Sequence, residues 1–259
     1  RFGKTLNMSM LKYYFDCTKK DSKELFEGLK IMEQDEKYTS KLGYYPCIYL
    51  TLKDAGLISY EMMIMQLKTI MMELYYENRY LLEKAEMAPG ERNLFNKILA
   101  AEANEVDLIN SVKILSKILS NYYNKPVMLF LDEYDVPLQA AYTNSYYEKG
   151  IAFYKMFYGT TFKDNQYLEK TILTGVSRVA KESIFSGANN FDVYTVLDDE
   201  FSDDFGITAK EMDKIIKDFD VQDKKEERKY EEDLQEKGYT NITKMVFAFK
   251  GKEVKMQII

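Results

Sequence analysis

Three residues near the start of the sequence, Gly3, Lys4 and Thr5, have the types needed to bind phosphate. They match the last third of the phosphate-binding pattern G-x-x-x-x-G-K-[ST]. The glycine lets backbone N–H groups approach the phosphates, the lysine reaches the β and γ oxygens, and the hydroxyl binds Mg²⁺. Residues 6–15 are predicted to form a helix, whose N-terminal end favours an anion. Because three residues match by chance fairly often, this interpretation needs support from elsewhere in the chain.

A carboxylate pair, Asp132 and Glu133, supplies that support. The pair ends an apolar run, residues 127–131, of the kind found in a parallel strand buried on both faces. Ligands bind at the carboxyl ends of the strands in open α/β sheets. An apolar strand that ends in Asp-Glu is the Walker B pattern of ATPases that carry a catalytic glutamate. In this pattern Asp132 would hold the Mg²⁺ shell, and Glu133 would polarise the water that attacks the γ-phosphate. Taken alone, the pair is also explained as an accidental end to a buried strand, but the upstream phosphate motif favours the ATP-site interpretation.

A third group of polar residues follows the next predicted strand, residues 170–176. Either Thr174 or Ser177 could contact the γ-phosphate or the attacking water. Arg178 could act as a γ-phosphate sensor, or as an arginine finger in trans that stabilises developing negative charge. A turn with a solvated arginine is the alternative.

Other conspicuous residues are interpreted as structural. The carboxylates of Asp135, Glu200 and the pair 203–204 are expected to be solvated in loops. The methionine-rich cluster at residues 62–65 is expected to fill the core. The 22 tyrosines are spread evenly through a chain without tryptophan, which favours packing over the stacking of nucleic-acid bases.

The composition excludes several kinds of chemistry. The absence of histidine excludes Ser-His-Asp and Cys-His systems and histidine-ligated zinc. The net charge of −6 argues against a duplex-binding protein, although a local basic patch stays open. Cys17 and Cys47 lack metal-ligand spacing, and reduced thiols are expected. With no apolar run near the ~18–20 residues that cross a bilayer and no signal-peptide pattern, we expect a cytoplasmic protein without a membrane segment.

Strands and helices alternate along the chain, which predicts an α/β fold with a mostly parallel sheet. Asp21 is a predicted N-cap with Glu24 three residues later, and Pro89-Gly90 is expected to break the helical pattern. A further strand is predicted at residues 45–52. The other predicted helices cover residues 59 to about 80, 107–123, 146–162 and 208–219.

The last 40 residues differ in character. Residues 220–238 are densely charged and predicted to be helical, and residues 242–249 and 253–258 are predicted to form a hairpin. The charged stretch is the predicted boundary between two parts of the chain.

Four stretches together resemble the AAA-ATPase-like family over about residues 1–220. The resemblance implies a P-loop NTPase-like sheet flanked by helices. It also implies ATP and Mg²⁺ binding, with Gly3, Lys4, Thr5, Asp132 and Glu133 in the roles given above. The stretches are RFGKTLNMSML (1–11), LFLDEYDVPLQ (129–139), TGVSRVAKESIFSGANN (174–190) and LDDEFSDDFGIT (197–208).

Members of this family commonly end in a PD-(D/E)XK nuclease-like domain, and residues 230–256 resemble its last helix and hairpin. The resemblance therefore predicts an ATPase-like domain over residues 1–220 and a nuclease-like remnant over residues 221–259. The family's first strand and half of its phosphate loop, as well as the nuclease core, have no counterpart in the sequence, so we expect a truncated member lacking the first strand.

Three functions follow from these observations. The first is a Mg²⁺-dependent ATPase. The second is a nucleotide-binding interaction module without turnover, and the third is the ATPase part of a nucleic-acid-processing protein. A nucleotide is the expected partner, a homo-oligomer is left open, and nucleic acid is expected only through the lost nuclease domain.

Overall fold

The computed structural model describes residues 3–163, 165–176, 192 and 194, and the backbone of residues 245–250 and 253–258. The side chains of Lys20 and Asp21 lie outside this description. The chain divides into two compact units, Gly3–Val193 and Tyr194–Ile259.

The first unit is built on a parallel sheet of three strands in the order β1-β2-β3. These strands are β1 (Cys47–Thr51), β2 (Val127–Asp132) and β3 (Leu168–Leu173). Leu131 in the central strand pairs with Leu50 on one side and with Leu173 on the other. The carboxyl ends of all three strands therefore meet at one edge, and the predicted parallel α/β architecture is confirmed.

Helices precede and connect these strands. Two short 3-10 helices, Lys20–Phe26 and Lys30–Glu33, follow the first α-helix. The α-helices are α1 (Lys4–Phe15), α2 (Glu36–Thr39), α3 (Tyr60–Glu77), α4 (Leu81–Lys84), α5 (Pro89–Leu99), α6 (Glu105–Tyr123), α7 (Val136–Thr143) and α8 (Tyr147–Phe162).

The two faces of the sheet carry different cores. Odd-numbered residues of β2 pack into the larger core with α3, α5, α6 and α8. Met128 and Phe130 instead pack with Met8 of α1 in a smaller core. Because side chains alternate between the faces of a strand, the next even-numbered residue, Asp132, lies on the α1 face. This alternation brings the β2 carboxylate to the helix that follows the phosphate motif.

The larger core confirms the packing role for some of the tyrosines, whereas others, such as Tyr142 at 74%, are exposed. Tyr75, Tyr154 and Tyr158 are at most 1% exposed. The expectation for residues 62–65 is only partly right. Met63 is fully buried and Met65 is 66% exposed, because an α-helix turns only one face of its surface toward a core.

Two predicted helix signals are wrong. Lys19, not Asp21, is the N-cap of the first 3-10 helix. Pro89 begins α5 where we expected a break. Proline suits the first position of a helix, since its missing N–H has no intrahelical partner there in any case.

Two other helices begin at or near the residue predicted for them. Ser59 caps α3 by accepting a hydrogen bond from the Met62 N–H at 3.2 Å, as predicted. The helix predicted from Asp107 begins two residues earlier, at Glu105. Asn104 is its N-cap, and the Asp107 carboxylate accepts from the Asn104 N–H at 3.0 Å.

The described part of the second unit is an antiparallel hairpin of β4 (Met245–Lys250) and β5 (Glu253–Ile258), as predicted. The predicted helix at 208–219, the charged segment 220–238 with its domain boundary, and the carboxylates Glu200, Asp203 and Asp204 lie outside the described residues. Within the described chain, every helix is too short or too polar to cross a membrane.

Candidate functional site

The N-terminus of α1 places the phosphate motif at the carboxyl edge of the sheet. Gly3 precedes the helix with φ +72°, a left-handed conformation that glycine adopts readily. Its carbonyl accepts the Asn7 N–H at 2.9 Å. Within α1, neither a capping side chain nor an acidic residue occupies the first turn. The positive end of the helix dipole is therefore left to favour an anion.

The Asp132 carboxylate is the centre of a hydroxyl cluster. It is 2% exposed, and Oδ2 accepts the Thr5 hydroxyl at 2.7 Å. The Thr174 hydroxyl donates to the other oxygen, Oδ1. The Tyr49 hydroxyl donates to Oδ2 over a longer distance of 3.4 Å. Hydroxyls from three segments that are distant in sequence therefore converge on one buried carboxylate.

The Lys4 ammonium points along the same edge. Its Nζ donates to the Gly175 carbonyl oxygen at 2.7 Å. Gly175 follows β3, whose ladder continues one residue past the strand because the Thr174 N–H donates to the Leu131 carbonyl at 2.9 Å. The amine of the phosphate motif and the end of the third strand are thus in direct contact.

Glu133 sits where the chain leaves the sheet. Its φ of +54° is left-handed, which is uncommon for a residue with a side chain. The side chain is half-buried and makes no hydrogen bond or ion pair with any described residue. Among the described residues, it is therefore the backbone and not a polar contact that places the carboxylate next to Asp132.

Tyr49 is a member of this cluster that sequence reasoning missed. Burial raises the pKa of its phenol to about 12, and the nearby Asp132 and Glu133 charges act in the same direction. The phenol therefore stays neutral at ordinary pH and keeps the O–H that donates the hydrogen bond to Asp132. Strand alternation was the available signal, since Tyr49 faces the same side of the sheet as Cys47 and packs against the smaller core.

Asp135 is not the solvated loop carboxylate that we expected. It is 1% exposed, and its Oδ2 accepts the Gln139 side-chain amide at 2.6 Å and the Val176 N–H at 3.0 Å. The left-handed turn at Glu133 directs the following residues back toward the end of β3, which buries this carboxylate. The glycine at 175 was the available signal, because a glycine after a buried strand often marks a close backbone approach.

The structure thus brings together most of the predicted site residues. Ser177 and Arg178 lie outside the described residues. The residues that it places at one edge of the sheet are Gly3, Lys4, Thr5, Asp132, Glu133 and Thr174.

The sequence model of a protein family described as Predicted AAA-ATPase matches residues 1–185. This match confirms the resemblance inferred from the sequence, and it includes the phosphate motif, the end of β2 and the segment after β3. Neither the curated proteins nor the solved structures that were compared contain a match to the chain.

Proposed function

We propose, because the chain belongs to the family of predicted AAA-ATPases, that it binds ATP with Mg²⁺ at the carboxyl end of the sheet and hydrolyses it. The hydrogen bond between Thr5 Oγ1 and Asp132 Oδ2, 2.7 Å long, carries this proposal. It joins the residue beside Lys4 to the carboxylate that ends β2, as a shared cation and triphosphate site requires.

Thr5 and Asp132 fit a magnesium ion. A hydroxyl and a carboxylate are hard oxygen donors, and Mg²⁺ is usually held by one or two carboxylates together with substrate phosphates. A Mg²⁺ ion held by these two residues would neutralise negative charge that develops on the phosphates. Thr174 would orient Asp132, since its hydroxyl already donates to that carboxylate.

Lys4 and the first turn of α1 would bind the phosphates. An ammonium group has three N–H donors, and only one of them is needed for the Gly175 carbonyl. The others would contact the β and γ oxygens, while the backbone N–H groups after Gly3 supply further donors to the same phosphates.

Glu133 would position the attacking water and accept its proton. Its carboxylate is adjacent to the Mg²⁺-binding aspartate and makes no hydrogen bond to a described residue, so its acceptor oxygens remain available to a water. Ser177 and Arg178 keep their predicted roles beside the γ-phosphate, where a polar group or a cation stabilises the charge of the transition state.

Substitution of Lys4 by methionine tests this proposal. Titration calorimetry with Mg²⁺-ATP is expected to show affinity about 10- to 100-fold lower for Lys4→Met, since hydrogen bonds to charged groups contribute about 1.5–3 kcal/mol. The matched control is Lys155→Met on the exposed side of α8, which is expected to bind as the wild type does. Absence of ATP binding by the wild-type chain, or equal affinity for Lys4→Met, would overturn the proposal.

A further inference from the structure

Asp135 uses its carboxylate in an unusual way for its position. It is the N-cap residue of α7, yet it makes no side-chain cap hydrogen bond to that helix. An aspartate there normally accepts an N–H from the first turn. The carboxylate instead reaches across to the Val176 N–H at 3.0 Å. It thereby ties the turn after β2 to residues 174–176, which we call the β3 extension.

The β3 extension fits tightly against this turn. A Cβ atom built on Gly175 would lie 2.6 Å from Cε1 of Tyr134 and 2.7 Å from Oδ1 of Asp135. Real Cβ atoms essentially never approach other atoms so closely. Tyr134 is itself anchored, because the Tyr158 hydroxyl donates to its carbonyl at 2.6 Å. The position of the Gly175 backbone is therefore set by the residues beneath it.

This backbone in turn meets the phosphate motif. The Gly175 carbonyl accepts the Lys4 ammonium at 2.7 Å. A free lysine side chain has large rotamer freedom, and ordering it costs up to about 2 kcal/mol. A fixed carbonyl partner removes part of that cost before a phosphate arrives, which is the general benefit of preorganisation.

We propose that Asp135 is a positioning residue for nucleotide binding. Through the Val176 N–H it holds the Gly175 carbonyl in place, and through that carbonyl it orients the Lys4 ammonium toward the phosphates. Asp135 itself touches no phosphate in this arrangement. The inference rests on the proposed function, since it assigns Lys4 to the phosphates.

A double-mutant cycle in Mg²⁺-ATP affinity tests this inference. In the presence of Lys4, Asp135→Leu is expected to raise the Kd about tenfold, and in a Lys4→Met background less than about twofold, because residues that act through one contact are not additive. A purely structural Asp135 would give the same fold-loss in both backgrounds. That result would overturn the inference.

Two further variants, Asp135→Asn and Val176→Pro, separate a positioning role from a loss of folding. Asp135→Asn retains an acceptor for the Val176 N–H, and we expect its Kd to stay within about twofold of wild type. If urea unfolding shows that Asp135→Leu does not fold, Val176→Pro removes the donor of the same hydrogen bond. The Val176 side chain is 80% exposed, and the same dependence on Lys4 is expected for this variant. Equal losses with and without Lys4 would again overturn the inference.

Asp16 provides the matched control. It is also a buried aspartate, 3% exposed, whose carboxylate accepts the Thr18 N–H and hydroxyl. Asp16→Leu is expected to lower stability and to change ATP affinity equally in both Lys4 backgrounds.

Failure of the proposed function and failure of the inference about Asp135 give different results. Equal binding by wild type and Lys4→Met sinks the proposed function, whereas a Lys4-dependent site with an additive Asp135 effect sinks the inference alone.

Discussion

The two ends of the three-stranded sheet are built from the same strands but hold their lysines differently. At the carboxyl end, the Lys4 ammonium donates a directed hydrogen bond to the Gly175 carbonyl at 2.7 Å. At the amino end, the ammonium groups of Lys41 and Lys125 lie over the Tyr44 ring, at 5.1 and 4.0 Å from its centroid. That ring is 39% exposed.

This difference separates directional contacts from diffuse ones. A hydrogen bond from an ammonium group to a backbone carbonyl fixes both distance and orientation, whereas an exposed cation–π contact tolerates many arrangements and contributes about 0.5–1 kcal/mol. Parallel strands bring their carboxyl ends and the N-termini of the following helices to one edge. We therefore expect substitutions at that edge to have larger and more specific effects than matched substitutions at the other.

The largest contrast is expected for Glu133→Gln at the carboxyl end. Loss of the general base should lower kcat for ATP hydrolysis about 10²- to 10⁴-fold, with ATP affinity nearly unchanged. The matched change at the amino end is Glu169→Gln, an exposed residue of β3 that accepts the Tyr45 hydroxyl at 3.4 Å. Steady-state phosphate release should be normal in this control. Equal turnover for the two variants would remove Glu133 from the reaction.

The next largest effect is expected for Gly175→Ala, beneath the site, on the free energy of unfolding. Gly175→Ala forces a Cβ atom against Tyr134 and Asp135, and such overpacking costs about 1–3 kcal/mol of unfolding free energy. Gly159→Ala in α8 places its Cβ where no atom lies within 4 Å. It should stabilise the helix by about 0.5–1 kcal/mol. Urea unfolding measures the stability of both variants. If Gly175→Ala does not change the free energy of unfolding, the β3 extension can shift to accommodate the added methyl group.

The Tyr49 phenol predicts a pH dependence. Its pKa is raised from 10.0 to about 12 in the folded chain, so the folded state favours the neutral form. The stability contributed by Tyr49 is therefore complete below pH 10 and is lost as the pH rises toward 12.

Tyr49→Phe should remove this component and cost about 1 kcal/mol at neutral pH, the typical contribution of a hydrogen bond. Urea unfolding between neutral pH and pH 11.5 measures both effects. Tyr13→Phe, on the exposed side of α1, should leave the free energy of unfolding at neutral pH unchanged. If Tyr49→Phe keeps the wild-type pH profile, the pKa of the phenol is not raised in the folded chain.

The smallest effect is expected at the amino end. Lys125→Ala removes the closer of the two lysines over Tyr44 and should cost about 0.5 kcal/mol in urea unfolding. ATP affinity should not change. A loss of affinity comparable to that of Lys4→Met would contradict the separation of the two ends.

The sequence predicted the arrangement of the main strand and helix segments because their signals are local. The apolar run before Asp132 and the glycine before Lys4 each identify one element. The parallel direction of the strands is expected from the alternation of strands and helices. Within the described residues, the edge of the sheet brings these motifs together as expected.

The contacts that hold the site depend on pairing between distant segments, and local patterns do not reveal them. Asp135 looked like a loop carboxylate because nothing near it in sequence shows that Val176 would lie 3.0 Å away. Tyr49 looked like one more strand aromatic, since its partner Asp132 is on another strand. Pro89 was read as a break because proline ends helices as readily as it begins them.

The left-handed backbone at Glu133 has a consequence for protein engineering. Residues other than glycine pay about 1–2 kcal/mol in this conformation, and asparagine tolerates it better than most. A library screened for thermal stability alone should therefore accumulate glycine or asparagine at position 133. Thermostable descendants of this chain would then lose the proposed catalytic carboxylate, so stability and turnover need to be selected together.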